Sequence, residues 1–205
     1  MGIAERRLRE REELKSKIVD AAADLFIEEG FDHVSMRKIA GRIEYSPSTI
    51  YLYFKDKYEL CQYICNETFT GLLQALEALQ AQPLTPEEKL RRSFRTYIDF
   101  GLGHPQHYTF SLLLPEPDPT QLPPEAKRAI REAGMKAFDN LRQGLRQGME
   151  AGLIRTADLE TTAQVVWTQM HGVTSLLITM KSFPFVERET LIEAAIDHIL
   201  RGLKP

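Results

Sequence analysis

Apolar residues recur along this chain at steps of three and four, and no stretch alternates long enough to write a strand. The pattern predicts an all-α fold of nine helices. The first covers about 8–29 and is closed by Gly30. Two short helices follow between Ser35 and Phe54, and a fourth runs from Asp56 to about Gln80. Thr85-Pro86-Glu87-Glu88 reads as a capping box opening a fifth helix to about Leu102. His104-Pro105 breaks it, and a short sixth helix reaches about Leu114. Half of positions 115–124 are proline, which predicts a stiff exposed loop. The seventh helix covers about 124–151, with Gly152 and Leu153 placed for a Schellman ending. Asp158 opens the eighth, to about Lys181, and after Pro184 the ninth covers about 187–202. The expected division is a three-helix N-terminal domain, 1–55, and a six-helix bundle, 56–205, with no evident linker between them.

The stretch from Ser35 to Lys57 is the most specific. Ser35 is placed to cap the second helix, with Val34 and Ile39 spaced as a hydrophobic staple. Met36, Ile39, Ala40 and Ile43 form its apolar side, and Arg37, Lys38 and Arg42 fall opposite. Ser46 caps the third helix with Pro47 at its first position, and Tyr45 and Ile50 suggest a second staple. Ile50 and Phe54 face inward as an i, i+4 pair, leaving Ser48, Thr49, Tyr51, Leu52 and Tyr53 around the outside. Helices joined so tightly cross steeply, as in a helix-turn-helix, although a plain helical corner would read the same way. Asp56 and Glu59 then have capping-box spacing, which puts Lys57 at a helix N-terminus suited to a phosphate.

These residues resemble the N-terminal domain of the tetracycline-repressor (TetR/AcrR) family of bacterial transcription regulators. The resemblance begins around Ile18, Ala21, Ala22, Leu25 and Phe26. It runs through Gly30, Phe31, Val34, Ser35, Ile39 and Ala40, and ends in Tyr45 to Leu60. It implies that Ser46, Ser48, Thr49 and Tyr51 approach base edges or nearby phosphates. It also implies phosphate contacts from Tyr53, Lys57 and the segment Ser35 to Arg37. Where the family usually writes Ala-Gly-Val-Ser, this chain has Ile43-Glu44-Tyr45-Ser46. Either Glu44 takes a left-handed conformation at a cost of about 1–2 kcal/mol, or the turn is built differently.

Charge does not advertise a DNA partner. The net charge is −3, and residues 1–60 hold 11 Lys and Arg against 12 Asp and Glu. Only within residues 33–60 does the balance reach +2, so recognition would rest on placement rather than on a basic field. The charged run Met1 to Lys17 contains no apolar leader segment, and reads as a minor-groove arm or, better, as a solvated extension of the first helix. Cys61 and Cys65 lack zinc spacing and read as small buried hydrophobes of a reducing, cytoplasmic compartment.

Residues 161–180 contain no charged side chain, yet five Thr, two Gln, a Ser and a His speak against a membrane span. Leu159, Ala163, Val166, Met170, Val173, Leu177 and Met180 follow a heptad seam, and the last helix carries Leu191, Ile192, Ala195, Ile196, Ile199 and Leu203. A thick monomeric core would write the same pattern. The resemblance favours a homodimer through the last two helices, with Val166, Met170, Val173, Leu177, Ile192, Ile196 and Ile199 as interface residues. Trp167, His171 and Gly172 also look like the Trp-His-Gly signature of one C-terminal domain type in the family.

Phe69, Leu73, Phe94, Tyr97, Tyr108, Phe138, Trp167 and His171 make the middle of the chain aromatic-rich. Residue by residue they read as core; the resemblance makes them a pocket for a small apolar or aromatic effector. His104 and His107 have H-x-x-H spacing, but no Cys or carboxylate joins them at ligand spacing, so no metal is expected. No catalytic signature or cofactor fingerprint is written. The sequence therefore reads as a homodimeric, ligand-responsive repressor binding a near-palindromic operator in double-stranded DNA. The rivals are a helical ligand carrier or enzyme without DNA binding, and a DNA-binding factor without an effector.

Overall fold

The computed structural model describes residues 2–114 and 123–205, and among these every regular element is helical. Among the described residues there are nine α-helices: α1 (Ile3–Glu29), α2 (Met36–Arg42), α3 (Pro47–Tyr51), α4 (Lys57–Gln80), α5 (Pro86–Gly103), α6 (Pro105–Tyr108), α7 (Pro124–Glu150), α8 (Leu159–Thr179) and α9 (Arg188–Leu203). Most of the proline-rich segment, 115–122, lies outside the described residues.

The chain forms two compact units. One is Met1–Thr68 with Gln106–Arg131, the other Phe69–Pro105 with Glu132–Pro205. The boundary between them falls inside α4, a single unbroken helix.

In the first unit α1 buries Ile18, Ala22, Leu25 and Phe26. Phe26 packs on Phe31 (ring centroids 5.0 Å apart) and stacks on Phe110 (5.1 Å). Gly30 ends α1 at φ 84°, its N–H donating to the Phe26 carbonyl (3.1 Å). Helix α1 begins five residues earlier than its apolar spacing implies, because Arg6–Glu10 and Arg9–Glu13 pairs and a bond from the Gly2 N–H to Glu5 support the added turns. The solvated-extension reading of Met1 to Lys17 therefore fits the backbone over residues 3–17. After α6 the chain widens into a π turn over Thr109–Leu113, a geometry that no sequence signal announced. There Ser111 Oγ donates to Thr68 Oγ1, which itself donates to the Ile64 carbonyl, so the buried threonine is satisfied. Cys61 and Cys65 are buried thiols outside any disulfide. Their mutual hydrogen bond and burial push the Cys61 thiol up, which makes it a poor nucleophile.

In the second unit α5, α8 and α9 pack on one another. Helix α5 starts at the predicted capping box: Thr85 Oγ1 accepts from the Glu88 N–H, and Glu88 accepts from the Thr85 N–H (2.9 Å). His104 ends it, its N–H and ring Nδ1 both at the Phe100 carbonyl. Helix α7 ends in the predicted Schellman motif, with Gly152 at φ 70° and the Leu153 N–H donating to the Gly148 carbonyl (2.9 Å). Arg91 and Arg95 on α5 clasp Glu189, Glu193 and Asp197 on α9. Hydrogen bonding to Arg91 holds the Asp197 carboxyl below the usual carboxylate range, although exposure keeps such pairs weak.

One assignment from the sequence is corrected by this packing. Val166, Met170, Ile192, Ile196 and Ile199, expected at a dimer interface, are buried in the subunit's own core, none more than 4% exposed. Val173 and Leu177 are half-buried. The buried row on α8 is Ala163, Val166, Met170 and Thr174, because a straight helix of 3.6 residues per turn drifts off a strict heptad. The side of α8 left in solvent carries Val165, Leu176 and Met180.

Candidate functional site

Helices α2 and α3 are held by local signals that the sequence writes plainly. Ser35 Oγ accepts from the Lys38 N–H (3.3 Å), and Ser46 Oγ accepts from the Thr49 N–H (3.2 Å) with Pro47 in the first turn. Met36, Ile39 and Ala40 from α2 meet Ile50 from α3, and Phe54 follows just after it; none is more than 7% exposed. Tyr45, offered as half of a staple, is instead 44% exposed.

The turn between the helices resolves the question posed by Glu44. It is the one non-glycine residue among those described with positive φ, at 59°. Its N–H donates to the Gly41 carbonyl (3.3 Å) and the Tyr45 N–H to the Ala40 carbonyl (3.0 Å), a Schellman-type closure. The turn thus keeps the geometry that glycine serves, and Glu44 bears the strain. Glu44→Gly is expected to leave stability unchanged or raise it by up to ~1 kcal/mol, since relief of about 1–2 kcal/mol is partly offset by the added freedom of the unfolded chain. Thermal unfolding checks this, and a fall in melting temperature would show that the glutamate side chain contributes something the strain argument omits.

The outer surface of α3 is polar and aromatic. Tyr51 is 55% exposed, and Leu52 stands further out. Ser48 is exposed and Thr49 half-buried, and both hydroxyls lie 2.8 Å from Ser46 Oγ. Tyr53 is half-buried under the Arg11 guanidinium, which lies 5.9 Å from the ring centre. Of the α2 cations, Lys38 pairs with Glu29 and Arg42 with Glu28 (2.6 Å). Arg37 is exposed, and no carboxylate among the described residues pairs with it.

Two expectations at the start of α4 are corrected. Asp56 caps as predicted, accepting from the Tyr58 and Glu59 N–H groups (3.0 and 2.9 Å). Glu59, however, reaches past Asp56 and accepts from the Lys55 N–H (2.6 Å), so the reciprocal box is not formed. Lys57 is not held out toward solvent. Its ammonium donates to the Phe31 carbonyl (2.9 Å) and sits 4.5 Å over the Phe31 ring. It thereby ties the turn after α1 to the start of α4.

The residues assigned to an effector pocket separate. Tyr108 is a fully buried core residue of the first unit, and Phe94 is wholly buried in the second. Aromatic content alone does not distinguish lining from core. Phe69 is buried against Gly134, and Leu73 is half-buried. The remaining four form a cluster in the second unit. The Trp167 indole N–H donates to the Tyr97 hydroxyl (3.1 Å), which lies 3.4 Å from His171 Nδ1, and Phe138 meets Trp167 edge-on at 6.2 Å. Arg142 lies 5.1 Å over Phe138.

Burial holds the His171 imidazolium below the ordinary histidine range. The unfolded chain therefore binds this proton more readily than the folded one. Stability should be intact above an unfolded-state value of about 6.5 and fall as pH drops below it, until His171 itself titrates in the fold. His171→Gln is expected to flatten that decline, read as urea midpoints between pH 7.5 and 5; an unchanged slope would contradict it. Among the described residues no three His, Cys, Asp or Glu groups gather to hold a metal ion. His107 instead lies 3.4 Å from Asp20 within the first unit. No helix among the described residues is long and apolar enough to cross a membrane.

Comparison with known proteins matches residues 18–64 to the N-terminal domain of bacterial regulatory proteins of the tetR family, and residues 90–199 to the tetracyclin repressor-like C-terminal domain. The chain belongs to the TetR family. Trp167, His171 and Gly172 fall inside the second TetR segment. An HTH-type transcriptional regulator of Staphylococcus aureus is 40% identical over 92 residues, covering 45% of this chain and 50% of that one. The chain spans about half the length, or less, of the curated relatives it matches. Among solved TetR structures, the regulator PfmR from Thermus thermophilus is 26% identical with a TM-score of 0.76, covering 93% of this chain and 97% of that one. AibR, solved in complex with isovaleryl coenzyme A and operator DNA, is 21% identical and shares the fold at a TM-score of 0.71, covering 88% and 95%.

Proposed function

We propose that this protein is a sequence-specific DNA-binding regulator, acting as a repressor on a near-palindromic operator. It works by binding rather than catalysis, and with DNA as its partner it acts in the cytoplasm. The reading rests on one observation above all. The α2–α3 pair is a rigid, capped frame that leaves Tyr51, Ser48 and Arg37 outward while the other α2 cations are paired. Tyr51, Ser48 and Thr49 meet base edges in a major groove, and Arg37 with the Ser35 end of α2 meets phosphate. Ser46 acts chiefly as the cap, Tyr53 as a flanking contact, and Lys57 as a positioning residue.

Two copies of the head are needed for a symmetric site. The uncovered side of α8, with Val165, Leu176 and Met180 beside half-buried Gly172, Val173 and Leu177, is the surface on which a second copy packs. A small apolar or aromatic effector, taken near Tyr97, Phe138, Trp167 and His171, changes operator affinity by about 1–3 kcal/mol. Helix α4, continuous from Lys57 to Gln80, carries that change. The AibR structure, solved in complex with isovaleryl coenzyme A and operator DNA, supports the view that this fold can hold a ligand and an operator together. Sedimentation of the protein with a symmetric duplex tests the stoichiometry. Two chains per duplex are expected, and one chain per duplex would contradict the reading.

A further inference from the structure

The formal charge of the first unit conceals where its cations stand. Acids outnumber bases by one in residues 1–60, yet most of the acids are occupied. Glu10 and Glu13 pair with Arg6 and Arg9, and Glu28 and Glu29 with Arg42 and Lys38. Glu5, Asp56 and Glu59 accept from backbone N–H groups at helix starts. On α1, Arg7, Arg11, Lys15 and Lys17 have no carboxylate partner among the described residues, and the first three form an i, i+4, i+8 row along one side of the helix.

That row is aimed. The Arg11 guanidinium lies over the Tyr53 ring, just beyond α3, and the Lys15 ammonium lies 4.1 Å over the Tyr63 ring. The row therefore extends the surface that presents α3. It also stands on a projecting rod: residues 4–17 have no buried side chain, and the core of the unit begins at Ile18. Those 14 residues amount to about 20 Å of helix. A helix of that length is marginal in water by itself, so a polyanion along its cationic side would stabilise it.

We propose that Arg7, Arg11 and Lys15 form a second DNA-contact surface, engaging phosphates of the duplex that flanks the site read by α3. The inference rests on the operator-binding reading and deepens it. Phosphate is the fitting partner because the row offers only cations, with no amide or carboxylate to read a base edge.

The test uses the full chain and two duplexes carrying the consensus selected from a random pool. One has the consensus alone, and the other adds about six base pairs on each side, roughly 20 Å at 3.4 Å per step. The variant is Arg7→Gln with Arg11→Gln and Lys15→Gln; its helical signal and melting should stay close to the wild type, since Arg7 and Arg11 are exposed and Gln keeps most of the half-buried Lys15 stem. The wild type should bind the longer duplex more tightly. The variant should lose that advantage, about tenfold or more, with a salt slope on the longer duplex lower by roughly 5, about 0.9 for each of the six cations that two chains lose, and unchanged affinity for the shorter one. An unaltered variant, equal losses on both duplexes, or a wild type indifferent to the flanks each overturns the second surface while leaving operator binding in place. A wild type that binds neither duplex removes the regulator reading and this inference with it.

Discussion

A chain carrying Arg37→Ala with Tyr51→Ala is expected to fold normally and to lose operator binding by at least about thirtyfold. Each side chain that reaches a base or phosphate is worth about 1–3 kcal/mol, so the pair removes about 2–6 kcal/mol of binding free energy. Neither contributes to the core: Tyr51 is 55% exposed, and Arg37 is exposed with no ion-pair partner among the described residues. Surface changes of this kind usually move stability by no more than about 0.5 kcal/mol. The double variant thus separates recognition from folding. Titration of labelled operator, with thermal unfolding of the same sample, reads both quantities. Equal loss of melting and affinity would mean that the two residues support the head rather than touch DNA.

Phe26→Ala should have the opposite signature. Phe26 is wholly buried, and its ring meets Phe31 on one side and stacks on Phe110. It therefore ties α1 both to the turn that Lys57 caps and to the π turn after α6. Truncating a buried phenylalanine costs about 3–5 kcal/mol, from lost transfer free energy plus the cavity left behind. Domains are stable by only about 5–15 kcal/mol, so the first unit should melt well below the wild type and operator binding should fail with it. Denaturant unfolding measures the loss; a cost under about 1 kcal/mol would mean the aromatic cluster is not the keystone described.

The contrast between these variants also separates what the sequence could reveal from what it could not. Local signals were legible. Ser35, Ser46, Thr85 and Asp158 cap helices where their spacing indicates, because a cap depends on residues three apart. Gly152 ends α7 for the same reason, and the position of Glu44 in a tight turn marks it as a site of left-handed strain. Long-range choices were not legible. Lys57 turns toward carbonyls 25 and 26 positions earlier, which no window around Lys57 contains. The row on α8 that faces the subunit's own core is selected by α5 and α9, so a regular apolar stripe reads as an interface even where Ala163, Val166 and Met170 are interior. The early start of α1 is legible only as a solvated extension paired at i, i+4, because ion pairs rather than an apolar period hold its first turns. Those ion pairs also hid Arg7, Arg11 and Lys15, whose four-residue spacing becomes visible once the neighbouring acids are seen to be occupied.

The central claim is that two copies of α3, each framed by α2 and presented outward, read a symmetric duplex. Selection of bound DNA from a random pool by this chain tests it most directly. The account predicts enrichment of a near-palindromic consensus whose half-sites lie about one helical turn apart, roughly 34–36 Å. Failure to enrich any sequence, or enrichment of a single asymmetric half-site, would contradict it.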